Sequence, residues 1–172
     1  MTDVAISDAE ISADGRYRYS LTRRWGPGPQ MLWVMLNPST ADVTTNDNTI
    51  RRCIGYAKRE QCDAIRVVNL FALRNRNPKV IIADPYSAVG PGNVEYLRDA
   101  FARAAVAGEM IVAGWGCTVS PQIALSLLPT LDGQFLTMMC LGQTRDGSPR
   151  HPLYLSVDQP FEVWPPSTRG RS

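Results

Sequence analysis

Apolar residues gather in four runs along the chain: "QMLWVML" at 30–36, "AIRVVNLFAL" at 64–73, "MIVAGWG" at 110–116 and "FLTMMCLG" at 135–142. The first two are apolar almost without interruption, as in strands buried on both faces, and all four predict strands. Between them lie helical periods. Asp47 or Asn48 is placed to cap a helix in which Ile50, Cys53, Ile54 and Ala57 recur at helical spacing. A second helix is expected from about Val94 to Ala107, with Val94, Leu97, Phe101 and Ala105 on one side, and a shorter one around Ile123–Leu128. The stretch "NRNPKVIIADPYSAVGPGN" reads as a long irregular connection. Upstream, the Asp14-Gly15 turn, followed by Tyr17 and Tyr19 alternating with Arg16 and Arg18, signals a hairpin.

Strands alternating with helices predict an α/β fold, three-layer α/β/α, with a central, mostly parallel four-stranded sheet and the N-terminal β-hairpin added at its edge. One domain is expected over 1–172: hairpin and linker at 10–29, the α/β core at 30–158, and a Pro-rich tail at 159–172 that frays at its end. In open sheets of this kind ligands collect outside the carboxyl ends of the strands. The polar and glycine residues concentrate there: Asn37-Pro38-Ser39, Asn69-Leu70-Phe71, Gly114-Trp115-Gly116 and the stretch from Thr144 to Leu155.

Composition narrows the picture modestly. The chain is 44% hydrophobic and 20% charged, and no apolar run approaches a membrane span. The acidic opening "MTDVAISDAE" lacks the pattern of a signal peptide, so a cytoplasmic location is expected, with no membrane partner. Four cysteines without a C-x-x-C pair, beside a single histidine, argue against zinc or an iron-sulfur cluster; no metal or other cofactor is expected. A net charge of +2 does not by itself mark a nucleic-acid protein, although all basic residues but Lys58 and Lys79 are arginine, which suits bidentate phosphate contacts.

Each polar strand end has two readings. Asn37 before Pro38 can simply end a strand in a turn, or hold a water or substrate; Ser39 and Asp42 follow in the same loop. Asn69 has apolar neighbours on either side, and its amide must find either a structural partner or an amide-like ligand edge. His151, in "GSPRHPLYL", is the only histidine, so any imidazole chemistry runs through it. The glycines of "AGWG" either ease a tight exit or let backbone amides, Gly116 among them, approach a phosphate. Arg51-Arg52 and Arg74-x-Arg76 form solvated faces or, near strand ends, grip phosphates.

The ordered segments "LWVMLNPSTAD", "NTIRRC", "VVNLFALR", "AGWG" and "CLGQTRDGSPRHPLYL" resemble a widespread family of uncharacterised bacterial and phage proteins, a domain of unknown function, over roughly residues 16–160. That family in turn resembles the uracil-DNA glycosylase superfamily. "MLNPS", "VVNLF", "AGWG" and "HPLYL" stand, in order, where superfamily members carry "G-x-N-P-G" or "G-Q-D-P-Y", "L-L-L-N", "L-W-G" and "H-P-S-P-L". The resemblance implies a uracil-DNA glycosylase-like fold and base excision from DNA. It implies that Asn37 positions the hydrolytic water, Asn69 reads the base, His151 stabilises the departing base anion and Leu155 wedges into a duplex. Such chemistry needs a water holder and an oxyanion donor, because the breaking bond builds positive charge on the sugar and negative charge on the base.

Two departures shape the expectation. Asn37 stands where the most active branches carry an aspartate, so hydrolysis would rest on positioning or on a substitute carboxylate such as Asp42 or Asp47, and Leu153 and Tyr154 replace the Ser and second Pro of the last motif. The site expected from the sequence is therefore Asn37, His151 and Asp42 for catalysis, and Asn69 with Phe71 (Tyr56 being the other candidate for stacking) for the base. Ser39, Arg51, Arg74, Gly116, Arg150 and Leu155 would serve phosphate or DNA. The expected partner is DNA or a nucleotide. The function expected is hydrolysis of an N-glycosidic bond to uracil or a modified pyrimidine in DNA; the alternative is a non-catalytic module binding DNA, a nucleotide or a protein.

Overall fold

The computed structural model describes residues 6–165. The seven strands run β1 (Ile6–Ile11), β2 (Arg18–Arg24), β3 (Gln30–Met35), β4 (Ala64–Asn69), β5 (Met110–Ala113), β6 (Met138–Cys140) and β7 (Glu162–Trp164). Five helices join them: α1 (Asn48–Arg59), α2 (Lys79–Ala83), α3 (Pro85–Val89), α4 (Asn93–Ala107) and α5 (Pro121–Leu127). One sheet contains all seven strands in the order β1-β2-β4-β3-β5-β6-β7.

The α/β class holds, but the expected four-stranded sheet is corrected to a seven-stranded mixed one. β4, β3, β5 and β6 pair in parallel, whereas β1 with β2, β2 with β4 and β6 with β7 are antiparallel. The hairpin β1-β2 joins the edge of the parallel strands as expected, β2 pairing with β4 along Ser20–Arg24 and so extending the sheet. β7 adds an edge strand from the Pro-rich tail, where three residues are too few to show a period; residues 166–172 of that tail, where fraying was expected, lie outside the described residues. The connection expected to be irregular holds α2 and α3, the second capped by Asp84, which accepts a hydrogen bond from the Ser87 amide. No helix among the described residues is long and apolar enough to cross a membrane.

Strand alternation sorts the core into two layers. Leu32, Val34 and Leu36 pack on one face of the sheet with Leu97, Phe101 and Ala104 of α4. Met31, Trp33 and Met35 pack on the other with Ile50, Cys53, Tyr56 and Ala57 of α1. The buried face of α4 is Asn93, Leu97, Ala100, Phe101 and Ala104; Val94 and Ala105, expected there, are exposed, each one position away from that stripe. Helix α1 begins as expected on Asp47, whose carboxylate accepts from the Ile50 amide at 2.9 Å, and ends with Lys58 and Arg59 in its last turn, where cations suit the helix dipole.

This architecture positions the site through register. Asn69 ends β4 beside Met35, the end of β3, and its period-2 partners Ile65 and Val67 face α1. The strand therefore delivers Asn69 to the same face as the N-terminus of α1.

Candidate functional site

A cavity of about 530 Å³ opens at the carboxyl ends of the parallel strands, within the size range of small-molecule sites. All four strand-end segments reach it: Met35–Asn37 and Ser39 after β3, Asn69 and Asn75–Arg76 around the end of β4, Trp115–Thr118 after β5, and Thr144 with Arg150–His151 and Leu153–Leu155 after β6. Helix α1 contributes Thr49 and Ile50 with its cap Asp47, and β2 contributes Arg18.

Asn69 is 1% exposed, and neither Oδ1 nor Nδ2 of its amide has a hydrogen-bond partner. Such a group costs about 1–3 kcal/mol to leave unpaired, so it is an arrangement that a ligand would relieve. The backbone around it is held firmly: Asn93 at the start of α4 donates its Nδ2 to the carbonyls of Asn69 and Leu70 at 3.0 and 3.1 Å.

Asn37 is different. Its Nδ2 donates to the carbonyls of Pro38, Leu73 and Asn75 at 3.1, 3.2 and 2.9 Å, tying the exit of β3 to the loop after β4. Three carbonyl acceptors fix the amide's orientation and leave Oδ1 as its acceptor for a water. The two readings of this residue therefore coexist: the amide nitrogen is a strut, and only the oxygen is left for chemistry.

His151 precedes a 3-10 turn, Pro152–Tyr154, and its Nδ1 accepts from the Leu153 amide at 3.3 Å. That bond places the proton of a neutral ring on Nε2. Burial lowers its pKa below the usual 6.5, only partly opposed by the Asp47 carboxylate, so the ring is neutral at pH 7. The site thus has an uncharged N–H donor.

The two candidate carboxylates separate cleanly. Asp42 does not line the cavity; its side chain accepts from the amides of Thr44 and Thr45 at 2.9 and 2.8 Å, which lowers its pKa and stabilises a turn. Asp47 does line it, with one oxygen on the Ile50 amide. Asp42 is thus corrected to a turn-former, and Asp47 is the carboxylate of the cavity.

Other expectations are corrected in the same way. Phe71 is 1% exposed within the α4-side core and does not reach the cavity; Trp115 and Tyr154 are its aromatic lining. Tyr56 is also core, its hydroxyl donating to the Ser156 carbonyl at 2.6 Å. Arg51 lies on the outer face of α1, bonded to Asn48, and Arg74 donates to the Gly15 carbonyl; neither lines the cavity. Ser39, Gly116 and Arg150 do. Leu155 lines it too but is only 5% exposed, packed in the α1-side core while Arg52 on α1 holds its carbonyl at 2.6 Å; a side chain packed in the core is no duplex wedge. The neighbouring Tyr154 is 80% exposed.

Sequence reasoning passed over Arg18. It is 2% exposed, lines the cavity, and its Nη1 donates to the Ala41 carbonyl at 2.5 Å. Burial pulls its pKa down to about 10, opposed first by Asp47, so it stays charged at neutral pH. Nothing in the alternation of "RYRYS" singles it out. The only signal was a cation in a strand next to a potential site, and that requires knowing which strand β2 joins.

No curated protein and no solved structure matches the chain. Residues 18–153 match the model of the family described as Protein of unknown function (DUF1643), and the chain belongs to that family.

Proposed function

We propose that the chain hydrolyses the N-glycosidic bond of uracil or a modified pyrimidine, with the base seated in the cavity against Asn69. The unpaired amide of Asn69 carries this reading: a pyrimidine amide edge offers one donor and one acceptor, the complement of what Asn69 presents and what it lacks. The four segments that resemble the glycosylase motifs all line this cavity, which supports a uracil-DNA glycosylase-like ancestry.

The chemistry divides among named groups. As the bond from the sugar to the base nitrogen breaks, its electron pair leaves with the base, and the His151 Nε2–H donates to the base oxygen on which the negative charge gathers. A water accepted by Asn37 Oδ1 adds to the sugar, and its proton passes to the Asp47 carboxylate, the only acid side chain in the lining. A neutral histidine suits this role, since it can give a hydrogen bond without first being charged.

A second reading is binding without base release, and Asn37 favours it: an amide stands where a carboxylate base would, and its donors are already engaged. It predicts salt-dependent DNA binding with no product. The deciding experiment incubates the chain with single- and double-stranded oligonucleotides and mononucleotides bearing uracil or modified pyrimidines, and measures free base by mass spectrometry. Free base refutes mere binding. Excision unchanged in both Asn69→Ala and His151→Ala refutes the assignment of the site.

A further inference from the structure

We infer that Arg18 forms a phosphate subsite inside the cavity and that the substrate is a nucleoside 5′-monophosphate, or a strand end bearing one, rather than a base within a continuous strand. This deepens the reading above and rests on it for the identity of the base end.

The guanidinium is the observation. Only Nη1 of Arg18 makes a hydrogen bond to the described residues, while Nε is buried without a partner. Nε and Nη2 form the edge of a guanidinium that grips a phosphate or carboxylate bidentately, and in Arg18 that edge is unused. Arg23, on the same strand and as deeply buried, shows what a structural arginine looks like here. Its Nε donates to Asn46 Oδ1 at 2.8 Å, its Nη2 to the carbonyls of Asp42 and Thr45, and its Nη1 to those of Thr22 and Asp8. Two buried arginines five residues apart thus differ in both bonding and place: Arg23 is saturated and lies off the cavity, whereas Arg18 leaves its Nε–Nη2 edge unpaired and lines it.

Charge points the same way. The ion pairs among the described residues join Arg59 to Glu60 and Asp99 to Arg66 and Arg103, so Arg18 has no paired carboxylate. The lining holds Arg18, Arg76 and Arg150 against Asp47 alone. A buried cation without a partner is costly, and an anion entering the cavity would complete it.

Burial chooses the source of that anion. A phosphodiester within a strand is flanked by two sugars and runs along a surface, where the exposed Arg76 and Arg150 can meet it. A side chain 2% exposed meets only a phosphate that enters the cavity, as a terminal monoester does. The same monoester carries more charge than a diester, so it gains more from the open fork.

The test is equilibrium binding to the intact chain, by calorimetry, of deoxyuridine, deoxyuridine 5′-monophosphate, inorganic phosphate and a short oligonucleotide with one internal uracil. The monophosphate is expected to bind about tenfold or more tighter than the nucleoside, with inorganic phosphate competing against it. Arg18→Gln should abolish that preference and leave nucleoside affinity unchanged; should Arg18→Gln fail to fold, Arg18→Lys, which keeps the charge and loses the fork, should reduce the preference. Equal affinity of the wild type for nucleoside and monophosphate overturns the subsite, as does a preference that survives in the variant. An oligonucleotide that binds tighter than the monophosphate in an Arg18-dependent way places the site on strand phosphate and overturns the mononucleotide assignment. Asn69→Ala separates the two readings: it should weaken nucleoside and monophosphate alike, and if it weakens neither, base recognition fails while the phosphate preference still stands.

Discussion

Replacing Asn69 by leucine should make the free protein more stable while removing its base recognition. The amide occupies a site 1% exposed with both polar atoms unpaired, and each buried unpaired group costs about 1–3 kcal/mol. A near-isosteric apolar side chain carries no such penalty and adds apolar contact with Met35, Val67 and Ile50 around the cavity. Crediting relief of one such group after imperfect packing, the gain is about 1–3 kcal/mol, or roughly 2–4 °C in midpoint per kcal/mol for a chain of this length. Urea unfolding of wild type and Asn69→Leu, with equal slopes, measures it. The companion measurement is nucleoside binding, which the variant should lose. A variant less stable than wild type by more than about 1 kcal/mol at unchanged slope would mean that Asn69 has partners in the free protein, and the inference from its unpaired amide would collapse.

Four further perturbations probe different parts of the site. Asp47→Asn keeps a good helix cap and should change stability by only a few tenths of a kcal/mol; base release, measured under single turnover, should fall by about 10²–10⁴, the usual worth of a general base. Since burial depresses the His151 pKa, the unfolded chain binds more protons between the folded value and 6.5, so stability is full above that window and falls as pH drops through it; denaturant titrations from pH 7 to 5 should show a smaller loss in His151→Gln. Arg23→Met strands the carbonyls and the Asn46 side chain that it holds, and should cost at least about 1–3 kcal/mol in thermal or chemical unfolding. Tyr154→Ala, at an 80% exposed position, should leave stability within about 0.5 kcal/mol, yet weaken binding of a single-stranded oligonucleotide by about 1–3 kcal/mol if the ring stacks on a base.

Much of the site could be read in advance because motif order along an α/β chain maps onto position. Asn37, Asn69 and His151 are far apart in sequence, but each lies at or beyond the carboxyl end of a parallel strand, and those strand ends share one edge. What could not be read was any choice between neighbours. Asp47 reads as a helix cap in advance, but whether it or Asp42 reaches the cavity is decided only when Asp42 closes a turn on Thr44 and Thr45. Leu155, expected to enter a duplex, faces the core while Tyr154 is exposed, because a single 3-10 turn decides which of two adjacent side chains turns inward. Phe71 and Trp115 both follow strands, yet only Trp115 lies on the cavity wall. Arg18 is the largest omission, and it is non-local: its place in the site exists only because β2 pairs with β4, some 45 residues downstream.

The buried polar groups in and behind the cavity wall fall into two kinds, and the distinction does more to define the site than their identities do. Asn37 Nδ2, Asn93 Nδ2 and Arg23 are committed to backbone carbonyls, and their donors lock the loops after β3 and β4 and the segment 42–46 in place. Asn69 and the Nε–Nη2 edge of Arg18 have no such commitments, although both are buried more deeply than Asn37. A protein that only needed a stable strand end would place apolar residues at both positions, since an unpaired buried amide and an unpaired buried cation each work against folding. The rigid scaffold of satisfied groups instead keeps two unsatisfied ones from relaxing toward each other's partners. Both line one cavity, one suited to an amide edge and the other to an anion, and the nucleotide proposed above carries both at once.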